Sequence, residues 1–256
     1  MNAARRPLVL RVALLTGSVA LLEAASRAGW IDPVSFIPPS EMFMAAVQIL
    51  TQGRYTTDIL LTLGSAVAAI VLAVVVGFLG GLLLARQPRV RRVGDPLLMS
   101  WYAVPIFVFY PMLIVILGLN RWPLIALGFL FSVVAMAVNT LNGVERIPRV
   151  QLRTARMLRM GPVRTTLKVR LPASLPFVFT GVKLTIVYSF IAIIGGEFLL
   201  SGAGFGYQIA FAYNNFDNPT MYGLMLILLV FVGTVNMILH AVEHRLYQRR
   251  VMKEAV

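Results

Sequence analysis

Cysteine is absent from these 256 residues, which excludes disulfides, thiolate metal sites and a cysteine nucleophile. Histidine is nearly absent, since His240 and His244 are the only two, and no nucleophile–base constellation is present. Charge is scarce as well: 13% of residues are charged, and only ten of those are acidic. There is no G-x-x-x-x-G-K-[ST] loop, so the chain does not hold ATP on a phosphate-cradling loop of that kind. The one glycine-rich cluster, Gly202-Ala-Gly204-Phe-Gly206, lacks the spacing and the strand–helix setting of a dinucleotide fingerprint.

What fills the chain instead is apolar sequence, 59% of the residues. A helix needs about 20 mostly apolar residues to cross a hydrocarbon core of roughly 30 Å. Six runs qualify approximately: Leu8–Ala25, Ile59–Ala85, Leu97–Leu119, Pro123–Val144, Leu175–Leu200 and Met221–His244. The expectation is therefore a single all-α membrane domain over residues 1–256, its core about 57–244. The first run, with Arg5 and Arg6 before it and small residues after it, also has the outline of a cleaved signal peptide. Glu23 inside the run favours a retained span.

The 23 basic residues alternate along the chain rather than forming a nucleic-acid surface. Arg5, Arg6 and Arg11 stand at the start, and Arg86, Arg89, Arg91 and Arg92 follow the second run. Eight more lie between Arg146 and Pro172, and Arg245, Arg249, Arg250 and Lys253 close the chain. Alternate loops hold only Arg27, Arg54 and Arg121. This bias predicts a multi-pass inner-membrane protein with both termini in the cytoplasm, its basic loops against anionic lipid.

Local signals refine the picture. Pro38-Pro39 is expected to break the chain before an interfacial helix over EMFMAAVQIL. Gly77, Gly80 and Gly81 permit close helix approach in the second span. Pro105 and Pro111 predict a kinked or broken third span. In the basic segment, Arg149, Arg153, Arg156 and Arg159 are spaced four, three and three, so they fall on one side of a helix. Val150, Ala155, Met157 and Leu158 fall on the other. A lipid-surface helix, a solvated loop and a protein-docking helix all fit this pattern.

That segment, RTARMLRMGPVRTTLKVRLP, resembles the cytoplasmic loop of ABC importer permeases. The family pattern is Glu-Ala-Ala, three residues, Gly, nine residues, Ile, one residue, Leu-Pro. It falls here on Arg153-Thr154-Ala155, Arg159, Val169 and Leu171-Pro172. The glutamate and the glycine of the pattern are both arginine, and a glycine follows two residues late at Gly161. The region from Ile37 through the second span, AVPIFVFYPMLIVILGLN, NTLNGV and GEFLLSGAGFGYQI resemble successive segments of the nitrate/sulfonate/taurine branch. The resemblance runs from about Ile37 to Arg245.

The resemblance implies a type I ABC importer permease fold with six transmembrane helices. It also implies a coupling loop, 145–173, in which Arg153, Thr154, Ala155, Arg156, Leu158, Arg159, Gly161, Leu171 and Pro172 would meet an ATPase. The implied partners are a cytoplasmic ATP-binding subunit, an external solute-binding protein and a second permease subunit, identical or different, besides membrane lipids. No cofactor is expected on this chain, ATP and Mg being used by the partner. The solute would be a small organic or inorganic anion, such as a sulfonate or nitrate, or a small heterocycle.

Trp101, Tyr110, Asn139, Lys183, Tyr188, Ser189 and Glu197 are candidates for the translocation path. Lys183 could instead snorkel to the interface, and Glu197 could fix the glycine-rich loop by a hydrogen bond. An ion-gradient-driven transporter is the main alternative, but the spans lack recurring acidic residues and repeated halves. A membrane scaffold or peptidase is a further one. His240-Ala-Val-Glu243-His244 fits the H-x-x-E-H zinc pattern, yet no further ligand or cleft is evident, and the segment reads as the polar end of the last span.

Overall fold

The computed structural model describes residues 6–32 and 34–254. Arg5 lies outside the described residues, as do the side chains of Arg6, Arg11, His244, Arg245, Arg249, Arg250 and Lys253. Among the described residues the regular structure is entirely helical. In chain order it comprises α1 (Arg6–Arg27), α2 (Pro39–Gln52), α3 (Thr56–Arg86) and α4 (Pro88–Trp101). A short 3₁₀ turn, Ile106–Phe109, leads into α5 (Tyr110–Leu117) and α6 (Trp122–Glu145). Then come α7 (Arg149–Met157), α8 (Pro162–Thr165), a π turn (Thr166–Arg170), α9 (Leu171–Leu200), α10 (Phe205–Asn214) and α11 (Asn218–Glu254).

Four segments are long and apolar enough to span a bilayer: Thr56–Arg86, Trp122–Glu145, Pro162–Asn214 and Asn218–Glu243. The pair Arg89–Trp101 and Ile106–Leu117, bent by 95° at its break, makes a fifth if it is one span. The six spans expected from the sequence thus meet four, or five, among the described residues. The first apolar run forms α1 but is not one of them. Its exposed apolar side chains, Leu14 and Leu15 among them, pack on little of the chain.

The break in the third span falls where the sequence placed it. Pro105 caps the 3₁₀ turn and Pro111 opens α5. Neither position needs an N–H, so the prolines are tolerated there while the chain turns. The freed ends are covered by aromatic packing: Trp101 stacks on Phe109 with ring centroids 6.2 Å apart and donates its Nε1–H to the carbonyl of Leu130, 3.0 Å away. The helix expected after Pro38-Pro39 forms, but it begins two residues before EMFMAAVQIL, at Pro39 itself. Pro38 is the N-cap of α2 and Pro39 its first residue, positions whose N–H has no intrahelical partner in any case.

The core is the trio α3, α6 and α9. Along α3, Ser65, Ala69, Ala73, Gly77 and Gly81 recur every fourth residue, and all five are buried. They form one narrow stripe, so the backbone of α6 lies directly on it. A Cβ added at Gly77 would sit 2.6 Å from the carbonyl oxygen of Val133, and one at Gly81 2.5 Å from that of Ala137. Gly80 faces open space, so two of the three expected glycines make the approach. On the other side of α6, Gly143 accepts Ser174 and Phe177 of α9, and Gly181 of α9 accepts Asn139 and Met136 of α6. Helices α2 and α11 pack beside this trio through Gly223, whose missing Cβ leaves room for Ile49 and Ala45.

Candidate functional site

Two regions at opposite ends of the bundle concentrate the chemistry. The first is the basic segment between α6 and α9. Helix α7 holds only nine residues, and it buries Ala155 against the rest of the chain, leaving that residue 2% exposed. Arg149, Arg153 and Arg156 all stand in solvent, and none forms an ion pair among the described residues. Val150 and Met157, 71% and 84% exposed, flank them. A groove of about 530 Å³ opens between α7 and the π turn, walled by Val150, Leu158, Val169, Pro172 and Lys168.

Arg159 does not continue the arginine face as its spacing suggests. Its φ is +50°, and it ends the helix. The Met160 N–H donates to the Ala155 carbonyl at 3.0 Å and the Arg159 N–H to that of Arg156 at 2.9 Å. This pair of bonds is a Schellman cap with Arg159 at the left-handed position, where glycine is normally favoured. Gly161, two residues on, has φ −64° and serves no such role. Spacing alone could not show this, because the wheel assumes that the helix continues. The substitution Arg159→Gly is expected to stabilise the fold by about 1 kcal/mol by relieving the left-handed strain, and thermal denaturation in detergent would show it.

The foot of this region is tied by charge. Arg91 of α4 pairs with Glu145 at the end of α6 through its Nη1 and Nη2, and through Nε with Asp95 one turn along at 3.1 Å. Arg146 lies over the ring of Phe177, 5.3 Å from its centroid, a cation–π contact. The α7 segment therefore hangs from anchored ends while its own arginines stay free.

The second region lies at the other end, where Glu197 of α9 is 2% exposed. The Thr62 hydroxyl of α3 sits 2.8 Å from both oxygens of its carboxylate. Gly206 donates its N–H to Glu197 Oε2 at 2.9 Å, Phe205 to Thr62 Oγ1 at 2.8 Å and Gly204 to Asp58 Oδ1 at 3.0 Å. Gln208 donates its amide to the other oxygen of Asp58 at 3.0 Å. The first amides of α10 are thus held by groups from α3 and α9, which satisfies donors that no helix can satisfy for itself and sets acceptor oxygens at the positive end of the dipole. Gly204 is required there: φ is +105°, and a Cβ would come within 2.4 Å of the Glu197 carboxyl carbon. A cavity of about 410 Å³ adjoins this junction, lined by Glu197, Tyr110, Ser65, Arg121 and the backbone of 202–204.

The other path candidates do not gather into one cavity. Tyr110 and Glu197 share this one. Ser189 is fully buried between α9 and α6, donating to Ser132 Oγ at 2.9 Å. Asn139 bonds back to the Ala135 carbonyl within its own helix at 2.8 Å. Tyr188 packs against Phe131 and Tyr102, and Trp101 against Phe109. Lys183 donates to Glu243 Oε2 of α11 at 2.6 Å. Asp58 and Thr62 were not singled out in the sequence. Their only signal is a polar i, i+4 pair opening a long apolar helix.

Among the described residues no cluster of three or more metal-ligating side chains occurs. The geometry is that of an apolar helix bundle with an exposed basic segment at one end and a hydrogen-bonded turn around Glu197 at the other. The profile of the family described as "Binding-protein-dependent transport system inner membrane component" matches residues 73–252, and the chain belongs to that family.

Named relatives agree. A bicarbonate transport system permease protein of Synechocystis sp. is 32% identical over 182 residues, which is 70% of this chain and 63% of that protein. A nitrate import permease protein of Leptolyngbya laminosa is 29% identical over 183 residues, 72% and 64% of the two chains. A probable ABC transporter permease protein of Brucella melitensis is 26% identical over 210 residues, 82% and 85%. The chain thus covers a little under two thirds of the first two relatives. Among solved structures, a chain of the MetNI methionine ABC transporter in an inward-facing conformation superposes with a TM-score of 0.68 at 16% identity, covering 76% of this chain and 96% of that one. A second crystal form gives 0.65 at 18% identity, with 74% and 94% covered. The fold is that of the ABC importer permease.

Proposed function

We propose that this chain is the membrane-spanning permease subunit of an ATP-driven importer, with ATP hydrolysed on a separate cytoplasmic subunit. The observation that carries the reading is the α7 segment: a short, exposed helix with unpaired arginines, suspended between the two spans that form the centre of the bundle. A push on α7 reaches α9 across only the short turn 158–161, because α8, the π turn and α9 then follow one another without a loop. It reaches α6 through the Glu145 end, which Arg91 ties to the broken span. ATP-driven closure of the partner would thereby shift α6 and α9 against α3 and switch the bundle between its two openings.

In this reading the termini and α7 face the cytoplasm of a bacterial inner membrane, as the distribution of arginines implies. A second permease subunit, identical or different, completes the path, and an external binding protein delivers the solute. The cavity beside Glu197 and Tyr110 lies at the external end, with Trp101 and Tyr188 along the broken span. The solute class best supported is a small anion, since relatives bear the names of bicarbonate and nitrate systems.

Reconstitution with its ATPase and binding protein tests the reading. Uptake of bicarbonate, nitrate or a small sulfonate into proteoliposomes is expected to require ATP and to persist when ion gradients are collapsed. Uptake that follows an imposed proton or sodium gradient without ATP would overturn it in favour of a secondary transporter.

A further inference from the structure

We propose that the α7 surface recognises an acidic cleft on the ATP-hydrolysing partner, and that this charge match selects which ATPase the chain accepts. The inference rests on the permease reading above and adds the chemistry of the partner's docking face. Between Arg146 and Gly196 the sequence contains no aspartate or glutamate at all. The surface that α7 presents is therefore cationic without internal compensation. The acidic residue closest to it in sequence, Glu145, is already engaged by Arg91.

Arg149, Arg153 and Arg156 share one side of α7. The groove beside them has Lys168 on its far wall and apolar side chains, Val150, Leu158 and Val169, between. An occupant suited to this surface carries an apolar side chain for the groove and carboxylates on both sides of it. A neutral or basic cleft would leave four desolvated cations without partners, which is costly at an interface.

Geometry favours a protein over the membrane surface. The 30 residues of α9 rise about 45 Å, already more than a hydrocarbon core of about 30 Å. The preceding π turn and α8, five and four residues long, add roughly 13 Å. Helix α7 packs on this extension at Lys168 and Val169, beyond the reach of the headgroups if Leu200 lies at the opposite interface. A lipid surface also has no use for a concave groove.

The test uses the full-length chain in nanodiscs, with and without anionic lipid, and its cognate ATPase, binding being followed against salt concentration. One variant carries Arg149→Gln, Arg153→Gln and Arg156→Gln, and a second carries lysine at the same three positions. Arg159 is left unchanged, because its left-handed backbone would confound charge with helix capping. The wild type is expected to bind more weakly as salt rises. The glutamine variant should bind at least about tenfold more weakly at low salt with a flattened salt dependence, and the lysine variant should keep most of the affinity.

Wild-type affinity in the glutamine variant in neutral-lipid nanodiscs would overturn the proposal while leaving the permease reading intact. A loss confined to anionic nanodiscs would assign the arginines to lipid and overturn it too. Failure of the wild type to bind any ATPase would remove the permease reading itself.

Discussion

Replacing Glu197 by alanine is expected to destabilise the protein by about 3 kcal/mol, with loss of transport. The carboxylate is buried to 2% exposure and receives the Gly206 amide and the Thr62 hydroxyl. Truncation leaves the amide without a partner at membrane depth, where a single unsatisfied group costs about 1–3 kcal/mol. It also opens a void against Gly204 and Gly206, whose shapes are fitted to this side chain. The conservative variant Glu197→Gln separates hydrogen bonding from charge. Its carbonyl oxygen can still accept from Gly206, and its NH₂ can donate to Thr62 Oγ1, which has a free lone pair beside the bond from Phe205. Glutamine should therefore stay within about 1 kcal/mol of the wild type. Unfolding followed by tryptophan fluorescence suits the measurement, since the chain has three tryptophans and no cysteine for a thiol dye. Equal losses in both variants would show that the charge, not the capping geometry, is what matters.

The second large effect is expected at the α3–α6 contact. Gly77→Val and Gly81→Val each place a branched side chain where a single Cβ would already lie 2.6 Å and 2.5 Å from a backbone carbonyl oxygen of α6. A backbone helix cannot give way as a flexible side chain can, so the helices must separate along their whole contact. A loss of about 3 kcal/mol for each is expected, at the upper end for overpacked cores. In the double variant, loss of folded protein on size exclusion is the expected outcome. Gly80→Ala is the internal control. It faces open space, and removing a mid-helix glycine should be neutral or stabilising by about 0.5–1 kcal/mol. If all three positions respond alike, glycine acts there through helix propensity rather than through close approach.

The α3 stripe illustrates how much of the architecture a reader of the sequence can reach. Membrane spans announce themselves through length and hydropathy because the bilayer is the solvent, and the broken third span through Pro105 and Pro111 because proline has no N–H. Gly77 and Gly81 were legible as a close-approach face, yet nothing in the sequence separated them from Gly80. That distinction depends on which side α6 occupies. The same holds for Lys183, whose partner Glu243, 2.6 Å away, comes from α11, sixty residues on. The partner of Ser189 is likewise set by packing, since α6 against α9 turns its hydroxyl to Ser132.

The basic α7 segment divides along the same line. Its cationic character and its position between two spans were fixed by the order of residues, since charge and periodicity are local properties. Arg159 leaving the arginine face was decided by the helix ending at Met157, a backbone event that spacing cannot report. The Asp58–Thr62–Glu197 junction was invisible for a different reason: its members come from helices about 135 residues apart in sequence. By itself the sequence determined that this is a polytopic helical protein with a basic loop between its central spans, because burial in lipid and charge at an interface are decided residue by residue. Only the tertiary structure decided which polar groups are spent inside the bundle and which arginines stay exposed without an ion pair among the described residues. Those outcomes turn on which helices touch, and contact between distant segments is not written in either one alone.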